Sequence, residues 1–164
     1  MPRIAIEVEA TVGSTIKRDD GPDRLSPEGQ PEARGAGGWP VGRGHVTDTL
    51  GDDGRLLEAL VLMREPAVPG DVVPAWPVAV LHLAAEDRPV DEVLCVAEEP
   101  CFVDLVDMGD LPRWHAEPDV WAQAFARLSS GGEYRVTGCG PVREADELLS
   151  SAHHAYLQLT GCME

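Results

Sequence analysis

The chain has 164 residues, 43% of them hydrophobic, which suffices for one globular domain with its own core over 1–164. Thirteen Lys and Arg face 29 Asp and Glu, a formal charge of -16, so the molecule's field repels phosphate backbones and anionic membranes and argues against nucleic acid or membrane as partners. The opening Met1-Pro2-Arg3-Ile4 carries no signal-peptide stretch, and no window approaches the length that spans a bilayer, so a cytoplasmic protein is expected.

Ile4, Ile6, Val8 and Ala10 alternate with Ala5, Glu7 and Glu9, the period of a half-buried first strand. From about residue 18 to 44 the chain turns to Gly, Pro and polar residues that cannot build a core, which predicts a long mobile loop. A lid over a site and plain disorder both fit such a segment. Leu56–Met63 and Val72–Leu83 read as central strands separated by a Pro69-Gly70 turn, and Val93–Ala97 and Glu133–Thr137 as two shorter ones. Asp110-Leu111-Pro112 precedes a helical stretch to about Leu128, with Pro118 in the first turn of its regular part.

A last helix starts after Pro141, where Val142, Ala145, Leu149, Ala152, Tyr156 and Leu159 recur at three and four and predict one packing stripe. His153 and His154 are neighbours on that helix and diverge by about 100°, so they are read as surface residues and not as a metal pair. His45 and His82 are read as structural. The four cysteines lack C-x-x-C spacing. Cys95 and Cys139 lie in or beside apolar runs, as buried free thiols do, which argues against a zinc or redox site.

The segment from Trp39 through Arg43, His45, Thr49-Leu50 and Asp52-Asp53-Gly54-Arg55 to Glu58 and Leu62 resembles the signature region of soluble (family I) inorganic pyrophosphatases, Y-P-x-x-Y-G-F-I-x-x-T-L followed by D-G-D-P-x-D-x-L-V-L. Pro69-Gly70-Asp71-Val72-Val73, Pro77 to Leu81, Ala84 to Val96 and Asp110-Leu111-Pro112 are similar to later motifs of that family in the same order. Only the stretch from Arg18 to Gly38 is poorly matched. The resemblance implies an α+β, mainly β fold: a five-stranded OB-like barrel with two flanking helices, assembled into a homo-oligomer, commonly a hexamer. It also implies a site where carboxylates cluster magnesium around diphosphate, with Lys, Arg and Tyr on the phosphates.

Matched position by position, Glu9, Lys17 and Asp19 keep polar groups of that site, Asp53 matches the first signature aspartate, and Glu58 replaces the last. Arg55 stands at the middle aspartate. Ala85-Glu86 stands at a D-E pair, Val90 at a metal-binding aspartate and Glu92 at a phosphate-binding lysine. Trp39 and Arg43 stand at tyrosines, Phe125-Ala126 at a Y-K pair, and Arg34 is a candidate for the loop arginine. A one-residue slip would bring Asp91 to the metal position and spoil the match of Val93 to Val96.

These replacements run toward apolar groups and fixed cations. They predict a pocket for an organic biosynthetic intermediate, worked on by metal-independent acid/base chemistry such as cyclisation, isomerisation, dehydration or hydrolysis. Glu58, Asp53, Glu9 and Arg55 are its candidate catalytic groups, with Lys17, Asp19, Trp39, Arg43, Ala85, Glu86, Val90, Glu92 and Phe125 around the substrate. Glu58 is the candidate acid or base, since desolvation and an adjacent cation pull its pKa in opposite directions. No cofactor is expected, although Asp53 and Glu58 leave room for one weakly held magnesium ion. A non-catalytic scaffold or regulatory subunit and a residual magnesium-dependent inorganic diphosphatase are the alternatives.

Overall fold

A computed structural model describes residues 3–17, 38–51, 54–85, 88–129 and 134–161. Its strands are β1 (Ile4–Val12), β2 (Val41–Val46), β3 (Glu58–Leu62), β4 (Val72–Ala85), β5 (Arg88–Ala97) and β6 (Tyr134–Gly140), and its helices α1 (Pro118–Leu128) and α2 (Val142–Thr160). The strand order is β1-β2-β3-β5-β4-β6, and β1 also pairs with the start of β4, from Ile4 against Ala75 to Glu7 against Val72. Five strands thereby close into a ring, with β6 added outside on β4, which gives the expected barrel with two flanking helices.

The ring interior follows from side-chain alternation. Ile6 and Val8 on β1 and Ala59 and Val61 on β3 are fully buried, and a methyl added at Gly42 would touch Val8 and Val61 from β2. The intervening residues of these strands point to the opposite face, where α1 lies. β4 serves both sides of the ring because it is long and bends, with pairing shifts at Pro77/Ala79 against β5 and at His82/Leu83 against β6. Its entry is the expected turn: Gly70 has φ 99°, and the Asp71 carboxylate accepts from the Val68 amide.

Three expectations need correction. The segment read as loop to residue 44 ends earlier, because Val41 to Gly44 belong to β2, paired with β1 and β3. Two glycines in six residues hid this strand, yet the close approach of β1 demands one of them: a Cβ on Gly44 would overlap the Glu7 carbonyl. β5 begins at Arg88, five residues before its apolar run, because its polar half pairs with β4 as an exposed hairpin arm. On α2, Ala145, Leu149 and Ala152 are buried as the stripe predicts, but Leu159 is 70% exposed, since the helix runs past the sheet before ending at left-handed Gly161.

Asp107 joins the two helical regions. Its Oδ1 accepts from the Met108 amide at 2.6 Å, capping a 3-10 helix over Met108–Trp114, and from the Val142 amide at 2.9 Å at the start of α2. α1 starts on Pro118, as expected, and buries Trp121, Ala124 and Phe125. Cys95 is buried, Cys139 half-buried and Cys101 exposed, all as free thiols, while Cys162 lies outside the described residues. Among the described residues no helix is long and apolar enough to cross a membrane.

Candidate functional site

The ladder registers set one polar group beside the next across four adjacent strands. His45 pairs with Glu7 on one side and Glu58 on the other, Arg43 pairs with Leu60, and Ala59 opposite Val93 brings Glu58 level with Glu92. Arg43, His45, Glu58 and Glu92 therefore share the face that α1 covers. Glu9 reaches the same face through a bulge. Pairing of β1 with β2 jumps between Val8 and Ala10, so Glu9 is the extra residue, and its carboxylate meets the His45 Nδ1.

Arg43 is fixed from two directions. Its Nη2 donates to Glu58 Oε1 at 2.9 Å, and its Cζ lies 5.0 Å over the centre of the Phe125 ring. Phe125 is in turn held edge-on by Tyr134 of β6, at 4.6 Å between ring centres. Burial by itself would weaken the guanidinium's hold on its proton, but the Glu58 bond and the surrounding carboxyl groups outweigh it and raise its pKa.

Glu92 is fully buried, and neither of its oxygens receives a hydrogen bond from an N–H or hydroxyl. Its polar neighbour is the Glu58 carboxyl, and two carboxyls in contact are satisfied only when one of them carries a proton. Burial, with the Glu58 contact and charge, pushes Glu92 well above the usual carboxylate range, so the proton resides there. The Glu92 hydroxyl donates to Glu58, and this bond, against the opposing pull of burial and together with Arg43, holds Glu58 below its ordinary value. The expected tug on Glu58 thus ends in a stable carboxylate. The acid is Glu92.

The other candidates fall differently. Trp39 sets its ring edge against Phe102, 5.4 Å between centres, in an aromatic group with Trp114, and makes no ring contact with Phe125 or Tyr134. Lys17 is exposed, with its amide bonded to the Trp114 carbonyl, and Arg55 is exposed in the turn before β3, where its carbonyl accepts from Gly51. Ala85 ends β4 opposite Tyr134, and Val90 pairs with Leu83. Asp19, Arg34, Asp53 and Glu86 lie outside the described residues. Sequence reasoning passed over two members, His45 and Tyr134. The signal for His45 was its spacing of two from Arg43, which puts both on one face of a strand.

Asp91 points away from this group and pairs with His82 Nδ1 at 2.7 Å, while His82 Nε2 meets Glu144 at 2.7 Å. His153 is exposed, and its Nδ1–H donates to the Asp48 carbonyl at 3.0 Å. An open hollow of about 480 Å3 around Arg64, Glu65, Asp71 and Glu99 contains none of the predicted residues.

The described side chains do not fit a magnesium cluster. Glu58 Oε1 is engaged by Arg43 and one Glu9 oxygen by His45, and burial with the Glu58 contact raises the pKa of Glu92, so these carboxyl groups are already partnered within the face rather than turned together toward a hard cation. Among the described residues no three His, Cys, Asp or Glu side chains converge as ligands. What this face offers is a fixed guanidinium, a carboxylate and a carboxylic acid side by side, suited to gripping an anion and moving a proton near it.

Comparison with known proteins places this arrangement in a family. Residues 8–157 match the family model described as inorganic pyrophosphatase. An inorganic pyrophosphatase of Aeropyrum pernix is 33% identical over 122 residues, 72% of this chain and 69% of that one. One of Leifsonia xyli is 29% identical over 125 residues, 75% of this chain and 76% of that one. In three dimensions, the inorganic pyrophosphatase of Helicobacter pylori superposes with a TM-score of 0.67 at 25% identity, covering 94% and 93% of the two chains. That of Thermus thermophilus gives 0.65 at 24% identity, covering 94% and 91%, a likeness of fold. A match that begins at Val8 on β1 and takes in β2, β3, β5 and α1 whole, with Glu9, Arg43, Glu58, Glu92 and Phe125 inside it, makes this chain a member of the inorganic pyrophosphatase family.

Proposed function

We propose that this chain binds diphosphate on the face formed by Glu9, Arg43, Glu58 and Glu92 and hydrolyses its phosphoanhydride bond. The family match across residues 8–157 carries this reading, because it spans the strands that build the face. It takes precedence over the organic intermediate expected from the sequence. Water adds to one phosphorus, the bridging P–O bond breaks, and two phosphates leave. Arg43 sets its N–H groups against phosphate oxygens, where negative charge grows on the leaving group. Glu92 is placed to lend a proton through Glu58, which takes back the proton released by the water.

The test is phosphate release from diphosphate by the purified chain, assayed in Mg2+, in Mn2+ and in EDTA. Release above background is expected in at least one condition, reduced tenfold or more by Arg43→Gln and by Glu58→Gln. A folded chain that releases no phosphate under any of the three would sink the reading and leave a scaffold role in its place. Assembly into a homo-oligomer belongs to the same proposal and is checked by light scattering.

A second reading is favoured by one observation, the contact of Arg43 with Phe125 beside a neutral Glu92. An apolar ring under a guanidinium suits an organic anion, transformed by metal-independent acid/base chemistry. Thermal shift by organic phosphates and carboxylates, compared with diphosphate at equal concentration, separates the two.

A further inference from the structure

Among the described residues Glu58 is already held by Arg43, and no three side chains converge as ligands for a magnesium ion, yet the face gathers carboxyl groups in half-buried surroundings. Glu9, Glu58 and Glu92 come from three strands and face Arg43 and His45 of β2 and the rings of Phe125 and Tyr134, while Asp91, beside Glu92 on β5, turns to His82. Such a cluster requires a cation at close range. The group that meets the need is covalently part of the chain. Arg43 reaches Glu58 at 2.9 Å and lies 5.0 Å over Phe125, and its side chain keeps 25% of its surface open. A guanidinium carries five N–H donors in one plane, and among the described residues the Glu58 bond occupies one of them, which leaves others for an anion at the open edge.

We propose that Arg43 is the resident cation of this site: held between the Glu58 carboxylate and the Phe125 ring, its guanidinium supplies to a bound diphosphate the positive charge that the family resemblance assigns to magnesium, so that anion binding here needs no divalent ion. A magnesium ion on Glu58 would have to displace the guanidinium from its carboxylate, since the ion demands near-octahedral oxygen ligands at about 2.0–2.1 Å. The two cations compete for one position. Removing Arg43 should therefore free Glu58 to take up a divalent ion. The choice of anion rests on the proposed diphosphate reading, whereas the competition between Arg43 and a divalent ion does not.

The experiment has two arms. In the first, calorimetry measures binding of imidodiphosphate, a slowly hydrolysed analogue, in EDTA and in Mg2+. Affinities within about threefold of each other are expected for the wild type, with a loss of tenfold or more in Arg43→Gln and a smaller loss in Arg43→Lys. In the second, Mn2+ alone is titrated by electron paramagnetic resonance, with circular dichroism to confirm that each variant is folded. The wild type should show no bound ion that Glu58→Gln removes, and Arg43→Gln should gain one that the added Glu58→Gln change abolishes. Arg43→Lys, which keeps the charge, should gain none. A wild-type Mn2+ site lost in Glu58→Gln, no gain in Arg43→Gln, or analogue binding that needs Mg2+ by tenfold or more would each overturn the proposal. Analogue binding in neither buffer would instead fail the diphosphate reading, and the Mn2+ arm, which uses no anion, would still decide whether Arg43 holds the cation's place.

Discussion

His82 on β4 and Glu144 on α2 are joined at 2.7 Å between Nε2 and Oε2, while the other ring nitrogen of His82 is held at 2.7 Å by Asp91. An imidazole bonded by carboxylates at both nitrogens favours its charged form. Burial alone would lower its pKa, but the bonds and charges of Asp91 and Glu144 overcome this and raise it. A raised value in the folded state means that the contribution is complete below the unfolded value, near 6.5, and fades as pH climbs through the folded one. Replacing Glu144 by Gln should lower the melting temperature by about 1–3 °C at pH 6, as expected for a partly exposed pair worth under about 1 kcal/mol, and by less at pH 9. Equal losses at both pH values would show that the charge of the imidazole does not govern the contact.

Glu92 gives a pH dependence with the same sign from a different cause. Its folded pKa is pushed well up, by burial first, so the stability it contributes is present below about pH 4.5 and is lost as pH rises toward the folded value. Glu92→Gln cannot ionise, and its amide still donates to Glu58. The melting temperature of this variant minus that of the wild type should therefore grow between pH 5 and pH 9. A difference that stays flat would mean that Glu92 is already ionised at pH 5.

Phe125 supports Arg43 from below and is held by Tyr134. Phe125→Leu keeps an apolar side chain but loses one aromatic pair and one cation–π contact, together about 1–2 kcal/mol. Urea unfolding should show a lower midpoint at unchanged slope. Weaker diphosphate binding should accompany it, because the guanidinium loses one of its two supports.

Gly44 and Gly109 make a matched comparison. A methyl at Gly44 would press on the Glu7 carbonyl, a backbone atom that cannot move without parting β1 from β2, whereas a methyl at Gly109 would meet nothing within 4 Å. Gly44→Ala should cost about 1–3 kcal/mol and reduce phosphate release, since the disturbed pairing lies beside the bulge that presents Glu9. Gly109→Ala should stay within about 0.5 kcal/mol of the wild type.

Elements whose residues bury one face were legible in the sequence. β1 shows in Ile6 and Val8, α1 in Pro118 with Trp121 and Phe125, and the packed part of α2 in Ala145, Leu149 and Ala152. β2 was not, because Gly44 is small to let β1 approach, a property of the neighbour and not of the segment. Arg43, Glu58 and Phe125 could be matched as candidates by resemblance, but not the bond between Arg43 and Glu58. Nor could sequence place the proton on Glu92, which follows from complete burial beside another carboxyl. Trp39 illustrates the reverse: an aromatic residue at a candidate position turned its ring to Phe102, where apolar area was available.

Glu58 and Glu92 stand level because β3 and β5 run parallel, with all of β4 between them in the chain, the one parallel pairing among the described strands. No single hairpin can bring the two carboxyls together. They meet only after β4 has traversed the ring and β5 has returned along β3, so the shared proton forms through contacts distant in sequence, whose closure is slow. During refolding, local signals such as helix formation in α2 should recover early, and the capacity to bind an anion should return with the slowest phase.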